Sequence, residues 1–307
     1  MTGKAYAATP AAFARCTANS QGKFMRLHAV LAASLAALAP AVAFAQNEAV
    51  PEGSVFDRDH LTVGVGAIYG PSYEGSDDYV FSPIPVVQGK VAGISITPRP
   101  GGVALDFIPD ADDARIGFSL GPVVSYSGNR KRQIEDPVVR ASGRLKDAID
   151  VGVNGGVTVN KLLSDYDSLT VSADVKWNVN KAHRGMVVTP AVSYLTPLSR
   201  AALVTLVVSA KHVDDDYARF YYSVTPGQRA ASGGVLPVYN AKGGWASVGA
   251  NVLAAYDLDG DLLNGGFAVV GFGGYSKLLN DAKRTPFTSL RGDADQWVGG
   301  LGVAYTF

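Results

Sequence analysis

Histidine and cysteine side chains are the groups that most often provide catalysis or metal binding, and this chain of 307 residues contains only four histidines and one cysteine. Three of the histidines, His60, His183 and His212, fall on separate predicted strands or strand ends. A Ser-His-Asp triad is recognised by geometry, so sequence spacing alone neither assembles nor excludes one. We interpret these histidines as interfacial or loop residues, and we predict that the protein is not an enzyme.

The acidic run Asp257-Leu258-Asp259-Gly260-Asp261 begins like a calcium-binding loop. An EF-hand loop requires glycine at its sixth position and glutamate at its twelfth. Those positions hold Leu262 and Ala268, so the pattern fails. A tight turn with Asp-Gly chemistry explains the run better, and we predict neither a metal site nor a cofactor.

Two further charged clusters could contact the membrane surface. Asp214-Asp215-Asp216, flanked by Lys211 and Arg219, could bind a divalent cation or lipopolysaccharide, but a solvated extension of a strand is the favoured interpretation. Arg130-Lys131-Arg132 could meet lipid phosphates, and there a solvated loop is favoured.

The elements that must position these residues are strands. In the last twelve residues, Trp297, Leu301, Val303, Tyr305 and Phe307 share one parity and face glycine, alanine and polar residues. A strand has a side-chain period of two, so one face of this segment is apolar with aromatic ends. Transmembrane barrels require this alternation. We interpret Leu301, Val303, Tyr305 and Phe307 as a carboxy-terminal outer-membrane insertion signal.

Similar alternation recurs along the chain, and the polar faces carry many Gly, Ser, Thr and Asn residues with few charges. This favours a membrane barrel over a soluble antiparallel sandwich. We predict an all-β fold, a transmembrane antiparallel up-and-down β-barrel of about twelve strands. The predicted strands lie near residues 60–69, 79–89, 91–98, 102–108, 114–127, 148–161, 167–180, 185–196, 200–222, 244–258, 264–277 and 295–307. Without the short pair 91–98 and 102–108 there would be ten.

An even number of strands returns the terminus to the periplasm, so the longest connections, 128–147, 223–243 and 278–294, are predicted to be extracellular. A lipid-facing charge near the membrane midplane costs ~2–4 kcal/mol. The polar faces of the alternating segments 149–160 and 169–180 must therefore point into the lumen. We predict that four residues of these faces line it: Asp150, Asn154, Asp174 and Lys176.

The amino-terminal part indicates export. A basic start at residues 25–26, an apolar run and the small-x-small site Ala43-Phe44-Ala45 predict a signal peptide over 25–45, cleaved after Ala45. Residues 1–24 are interpreted as a mis-assigned start or an extended n-region. Segment 46–58 is predicted to be a periplasmic tail, and residues 59–307 to form the barrel.

The charge balance and the cysteine content restrict the classes of partner that the protein could bind. The removed segment would contain four of the 27 basic residues and no acidic one, leaving 23 basic against 27 acidic side chains and a net charge of about −4. This balance lacks the basic surface that nucleic-acid binding requires. The single cysteine, Cys16, lies in the removed part, so the mature chain would have no disulfide. We predict contact with outer-membrane lipid and lipopolysaccharide.

Several segments rich in Gly, Pro and Tyr occur in a characteristic order along the chain: Tyr69–Tyr79, Pro83-Ile84-Pro85, Tyr222–Pro226, Ala231–Gly233, Leu236–Tyr239, Lys277–Ala282 and Thr285-Pro286. Together they resemble the MipA/OmpV family of outer-membrane proteins that interact with the lytic transglycosylase MltA. The resemblance spans essentially the whole predicted mature chain, with Asn280 where glycine is expected and Arg284-Thr285 where Asp-Ser is expected.

The resemblance implies an outer-membrane barrel of a Gram-negative bacterium. It also implies a scaffold that brings a lytic transglycosylase together with a penicillin-binding protein for murein synthesis, and it carries no catalytic residues to transfer. Two alternatives stay open from the residues: a narrow passive diffusion channel, and a barrel hydrolase acting on lipid or protein.

Overall fold

The computed structural model describes residues 54–109, 114–130 and 133–307. The predicted signal peptide, with Ala43 and Ala45, and the segment 1–24 lie outside the described residues. Within them, twelve strands form one closed antiparallel barrel in which sequential strands are neighbours. The strands are β1 (His60–Pro71), β2 (Tyr79–Val91), β3 (Ile94–Arg99), β4 (Gly102–Asp106), β5 (Ile116–Ser127), β6 (Ala148–Asn160), β7 (Ser168–Asn178), β8 (Met186–Pro197), β9 (Ala202–Val213), β10 (Gly244–Asp257), β11 (Gly266–Leu278) and β12 (Asp295–Thr306).

The prediction of a barrel with twelve strands is confirmed, and the ten-strand alternative is wrong, because the short hairpin β3–β4 belongs to the wall. Strands β1 and β12 pair from Thr62↔Thr306 to Tyr69↔Gly299 and close the sheet. This pairing joins the first strand to the last, so neither has a free edge on that side, which is favourable for backbone groups in hydrocarbon.

The two ends of the barrel differ. Strand β1 begins and β12 ends at one of them, which we call the terminal end. The long connections 128–147, 214–243 and 279–294 lie at the other, which we call the loop end. Outer-membrane barrels have short periplasmic turns and longer extracellular loops, so the loop end is extracellular.

Short helices occur in the loop-end connections. They are α1 (Pro137–Ala141), α2 (Asp215–Tyr222), α3 (Pro226–Ala231), α4 (Asn280–Arg284) and α5 (Pro286–Ser289). No helix within the described ranges is long and apolar enough to cross a membrane. At the terminal end, the described part of the predicted tail forms a single 3-10 turn, Val55–Asp57, whose Val55 N–H donates to Leu263 O at 2.8 Å.

The strand predicted over 200–222 is wrong beyond Val213, where α2 replaces it. The Asp214 side chain accepts the N–H of Tyr217 at 2.9 Å and caps the helix, which satisfies a donor that has no partner in the helix itself. Two more carboxylates, Asp215 and Asp216, lie in the first turn, where the helix dipole favours negative charge. The acidic run is therefore a helix start and not a strand extension.

Side chains alternate across the wall as the period of two requires. On β7, Val171 and Trp177 are exposed on the outer surface, whereas Asp174 is buried. Exposed aromatic residues mark the outer surface near the loop end: Tyr69, Phe81, Tyr126, Trp177, Trp245 and Trp297. Such girdles are typical of the two membrane interfaces.

The proposed insertion signal lies on the same outer surface at the terminal end. Leu301, Val303 and Phe307 are exposed. The Tyr305 ring lies 4.7 Å from that of Phe267 and 4.6 Å from that of Phe307. These rings form a small aromatic cluster at the periplasmic rim of the barrel.

Candidate functional site

A hydrogen-bonded polar cluster lies on the inward faces of β3, β6 and β7. The buried carboxylate of Asp174 accepts the amide of Asn154 at 2.6 Å on Oδ1 and the Nε–H of Arg99 at 3.0 Å on Oδ2. A buried charge is costly unless it is paired and hydrogen-bonded, and here both carboxylate oxygens have partners. The Arg99–Asp174 ion pair joins two separate parts of the barrel wall through the interior.

A second polar group lies closer to the loop end. Asp150 Oδ1 accepts the amide of Asn178 at 3.0 Å and lies 2.9 Å from Nε2 of His183. The Nδ1 atom of His183 accepts the Gly185 N–H at 3.1 Å, so the proton of the neutral ring is on Nε2 and is donated to Asp150. His183 lies in a turn, as expected, but it is buried and not interfacial. Both of its ring nitrogens have structural partners, which leaves neither to act as a catalytic base.

All four residues predicted to line the lumen point inward. Asn154 and Asp174 are in direct contact, Asp150 belongs to the second group, and the Lys176 ammonium donates to Ser125 Oγ at 3.2 Å. Sequence reasoning did not identify Arg99, Asn178 or His183 as members of this network. The alternation of inward and outward residues along β3 was the signal that could have identified Arg99, because Arg99 lies two residues after Thr97 and shares its inward face.

The segment Gly117-Phe118-Ser119-Leu120-Gly121 has the G-x-S-x-G spacing of hydrolase nucleophile elbows. Such an elbow is a sharp strand-to-helix turn that exposes the serine. Here the whole segment lies inside β5, paired along its length with β6. The spacing therefore reflects the alternation of small inward residues and not an elbow.

The loop-end connections pack together at the mouth of the barrel, and we call their described residues, 72–78, 128–130, 133–147, 214–243 and 279–294, the cap. The cap has two hydrophobic cores. The inner core lies between α2 and the strand ends and contains Val187, Val213, Tyr217, Ala218, Tyr221, Tyr222, Ala241, Ala246, Leu278 and Ala282. The outer core contains Tyr73, Ile134, Val139, Val224, Leu236 and Phe287. These buried side chains make the cap an ordered lid and not a set of solvated loops.

The acidic run holds the cap to the strands. Asp214 Oδ2 accepts the Met186 N–H at 2.8 Å, and Asp215 Oδ1 accepts the Gly243 N–H at 2.7 Å. Asp216 pairs with Arg219 within α2. The favoured prediction of a solvated strand extension is wrong here, because two of the carboxylates bond to backbone groups that begin β8 and precede β10.

Arg130 differs from the predicted solvated loop residue. It is 2 % exposed, and its guanidinium carbon lies 3.9 Å from the centre of the Phe287 ring. Burial lowers the pKa of Arg130 to about 10, so the side chain stays charged at neutral pH. Lys131 and Arg132 lie outside the described residues. Arg130 therefore packs as a cation against an aromatic face in the cap.

Beneath the cap lies a chamber of about 400 Å³. Its lining includes Tyr73, Glu74, Asn129, Lys211, Tyr217 and Gln296. The Glu74 carboxylate and the Lys211 ammonium form an ion pair that joins the 72–78 connection to β9. Burial raises the pKa of Tyr217 well above its ordinary value, so its hydroxyl stays neutral. Residues of the cap and of the strand ends line the chamber together, and they offer polar contacts.

At the terminal end, the Asp257–Asp261 run forms a turn. Asp257 Oδ1 accepts the N–H groups of Asp259 at 2.9 Å and Gly260 at 3.0 Å, and Gly260 has a positive φ of 95°. Asp261 pairs with Arg200 at 2.5 Å. The first carboxylate is thus occupied by backbone donors, as in an Asx turn. No group of three or more His, Cys, Asp or Glu residues suited to a metal ion occurs in the described part of the chain.

The ion pair between Asp136 and Arg291 joins the connection that contains α1 to the connection that follows α5, and we call it the latch. Asp136 caps α1 by accepting the N–H groups of Val138 at 2.7 Å and Val139 at 3.0 Å. The same carboxylate accepts Nε–H of Arg291 at 2.8 Å. Burial alone would raise the pKa of Asp136, but the hydrogen bonds from Val139, Arg291 and Val138 outweigh it and hold the pKa below its ordinary value of 3.8.

This latch predicts a pH dependence of cap stability. A carboxylate with a lowered pKa in the folded state stabilises that state above its unfolded pKa, and the contribution disappears as the pH falls through the folded value. We expect amide exchange in residues 133–147, corrected for intrinsic rates, to accelerate below pH 3.8. An Asp136→Asn variant should exchange faster already at pH 7 and lack the acid step. An identical pH profile in both proteins would contradict the latch.

The closed barrel, the aromatic girdles and the polar interior define an outer-membrane β-barrel of a Gram-negative bacterium. Ordered loop-end connections form a cap at its extracellular mouth. A family model described as "MltA-interacting protein MipA" matches residues 63–307, and the chain belongs to this family. The resemblance noted from the sequence is thereby confirmed.

Other comparisons concern the fold. An outer membrane channel from Pseudomonas putida F1 is similar at 12% identity and a TM-score of 0.42, with 85% of this chain and 100% of that chain covered. The outer membrane channel DcaP of Acinetobacter baumannii is similar at 15% identity and a TM-score of 0.35. That likeness covers 79% of this chain, which spans only 62% of DcaP. A comparison with curated protein sequences returned no significant match.

Proposed function

We propose that this protein is a membrane-anchored scaffold that binds murein enzymes at its periplasmic face, with a lytic transglycosylase and a penicillin-binding protein as the partners. The family description, an MltA-interacting protein, supports the first partner class. The cap supports an anchoring role over free diffusion, since its two hydrophobic cores make the loop-end connections an ordered structure at the mouth of the barrel. No nucleic acid is involved, and the outer surface contacts lipid and lipopolysaccharide.

The observation that carries the proposal is a rigid apolar turn at the terminal end. In the β6–β7 connection, Leu163 is 81 % exposed, and Leu162 and Tyr166 beside it are also exposed. The Asp167 carboxylate fixes the turn by accepting the N–H groups of Leu162 at 2.8 Å and Leu163 at 2.9 Å, and the hydroxyl of Tyr194 at 2.7 Å. A rigid apolar projection loses little entropy when a partner binds it.

Replacing Leu163 tests this surface. We expect a Leu163→Asp variant, isolated from native envelopes after mild solubilisation, to recover several-fold less lytic transglycosylase and penicillin-binding protein than the wild type. The matched control is Val235→Asp, which changes an exposed apolar residue of the cap and should leave recovery unchanged. If no murein enzyme enriches with the wild type and the pure protein conducts ions, the scaffold proposal fails.

A narrow passive channel is the second candidate, favoured by the polar interior around Asp174 and by the chamber beneath the cap. Under this alternative the cap would have to move for solutes to pass. A hydrolase is less well supported, because His183 is engaged at both ring nitrogens.

A further inference from the structure

The barrel wall is incompletely paired between β2 and β3. Strand β2 pairs with β1 along its whole length, from Pro71↔Tyr79 to His60↔Lys90. Its pairing with β3 comprises only Gly89↔Ile96, Lys90↔Ser95 and Val91↔Ile94. Within the described ranges, residues 79–88 of β2 therefore have a strand on one side only. We call this open edge of β2 the seam.

The hairpin geometry shows which backbone groups face the seam. The turn Ala92-Gly93 has two positive φ angles, 52° and 79°, as in two-residue type I′ hairpins. Val91 and Ile94 are then the hydrogen-bonded pair next to the turn. Because such pairs alternate along an antiparallel ladder, odd-numbered residues of β2 direct their N–H and C=O groups towards β3.

Prolines occupy the seam on both strands. Pro83 and Pro85 are odd-numbered residues of β2, so the N–H groups that they lack are ones that would face β3. Extending the observed register places Pro98 of β3 opposite Val87, and Pro98 also has no N–H to donate. Proline is confined to edges and bulges of sheets for this reason. Strand β3 ends at Arg99, which the same register places opposite Val86, so no residue of β3 lies opposite Pro83 or Pro85. The early end of β3 and the missing N–H of Pro98 together leave this edge of β2 open, and Pro83 and Pro85 are tolerated there because the edge has no partner strand.

The seam begins at the loop end of β2 and runs most of the way along the strand. Its upper limit is at the aromatic girdle, where the Tyr69 and Phe81 rings are 4.8 Å apart. There the Phe81 carbonyl accepts the Gln133 side-chain amide of the cap at 3.5 Å. Pro83, Pro85 and Val87 follow below the girdle. An open sheet edge in hydrocarbon is not tolerated unless it lines a cavity or is covered, so the seam requires an occupant.

The side chains around the seam indicate the chemistry of that occupant. Ile84 and Val86 alternate with the outward prolines and point into the lumen, opposite Gly66 and Gly64 of β1. The lumen face of β2 is therefore apolar at these two positions, while Arg99 of β3, which the register places opposite Val86, is engaged by Asp174 on β7. A partner strand would find carbonyls but few N–H donors to bond. An alkyl chain fits the apolar lining, and a lipid's hydroxyl or amide groups can donate to the carbonyls.

We propose that the seam is a lateral opening through which an acyl chain of an outer-leaflet lipid reaches the lumen face of β2. The opening connects the membrane with the interior through the side of the wall, below the cap. It is independent of the scaffold function, because it involves the barrel wall and not the periplasmic turns.

Site-directed fluorescence tests the opening. In a Cys16→Ser background, a bimane label is placed at Ile84→Cys, at Ser172→Cys on the far interior wall, or at Val171→Cys on the outer surface. The proteins are reconstituted in phosphatidylcholine vesicles with or without nitroxide-labelled acyl chains. We expect the Ile84 label to be quenched at least half as strongly as the Val171 label, and the Ser172 label to remain unquenched.

Restoring the N–H group at position 98 should narrow the seam, because Pro98 is the proline that the register places opposite a residue of β2. In a Pro98→Val variant, quenching of the Ile84 label should decrease while the Val171 label is unaffected. Unchanged quenching of the Ile84 label in this variant, with the Val171 label also unchanged, would contradict the seam as the route of the acyl chain. An Ile84 label that is quenched no more than the Ser172 label in the wild type overturns the proposal. Efficient intermolecular disulfide formation by Val87→Cys, with an unquenched Ile84 label, would show instead that a second copy covers the seam.

Discussion

An arginine in place of Val171 is expected to lower the free energy of unfolding by ~2–4 kcal/mol. Val171 is 54 % exposed on the outer surface of β7 and pairs with Val157 and Val192, which are also exposed and apolar. A guanidinium at this position must either lose its hydration in hydrocarbon or distort the bilayer to keep it. The change corresponds to roughly a 30- to 900-fold shift in the unfolding equilibrium.

The adjacent residue is the matched control. Ser172 belongs to the opposite face of β7, the face of Asp174 and Lys176. We expect Ser172→Arg to change stability by less than about 1 kcal/mol, because its charge points towards the polar interior. Urea unfolding of both variants refolded in phospholipid vesicles, followed by tryptophan fluorescence, measures the difference. Equal destabilisation by the two arginines would contradict a lipid-embedded barrel with a hydrophilic interior.

The wall of the barrel was predictable because one physical rule governs all of it. Lipid outside and polar groups inside impose a period of two on every strand. The segments 149–160 and 169–180 showed that period without interruption, so their inward faces could be read directly from the sequence. The short hairpin β3–β4 was the weakest prediction, since Pro98 and the few residues of each strand leave little periodicity to detect.

The cap was not predictable in the same way. Its cores bring together residues from connections far apart in the chain, such as Tyr73, Val139 and Phe287, and no local period reports such contacts. A local signal for α2 did exist. Asp214 precedes two more acidic residues, and Tyr217 and Tyr221 lie four residues apart, which is the spacing of one helix face. Extending the alternation of β9 through this segment concealed it.

The Arg99–Asp174 ion pair in the barrel interior was not predictable either, because its two residues are far apart in the chain. Parity assigns each residue to the inward face of its own strand, but it gives no distance between strands that are not neighbours. The pair forms because the wall curves enough to bring β3 within reach of β7. Sequence reasoning could therefore name the lining residues without identifying which of them would neutralise each other.

Removing the central part of the cap should convert the covered barrel into an open one. The design replaces residues 215–242 with an Asn-Gly turn. The Asp214 and Gly243 backbones are already close together, since a Cβ added to Gly243 would lie 2.6 Å from the Asp214 carbonyl carbon. The register Gly244↔Val213 is left intact, so β9 and β10 should still form a hairpin, for which Asn-Gly is a favoured turn.

The expected result is a stable ion conductance in planar bilayers, against conductance near background for the wild type. The deletion removes Tyr217, Tyr221 and Tyr222 from the inner core and Val224 and Leu236 from the outer core. Without these side chains the other loop-end connections lose most of what they pack against, and the polar interior becomes open to the extracellular solution.

The control must change the same connection without changing the cores. Helix α3, Pro226–Ala231, contains no buried residue, so replacing it with a Gly-Ser segment of equal length should leave conductance near background. If the deletion variant folds into the barrel and still does not conduct, the obstruction lies deeper, at the Arg99–Asp174 pair that crosses the interior. If the wild type conducts as well as the variant, the cap does not seal the lumen, and the channel becomes the better supported function.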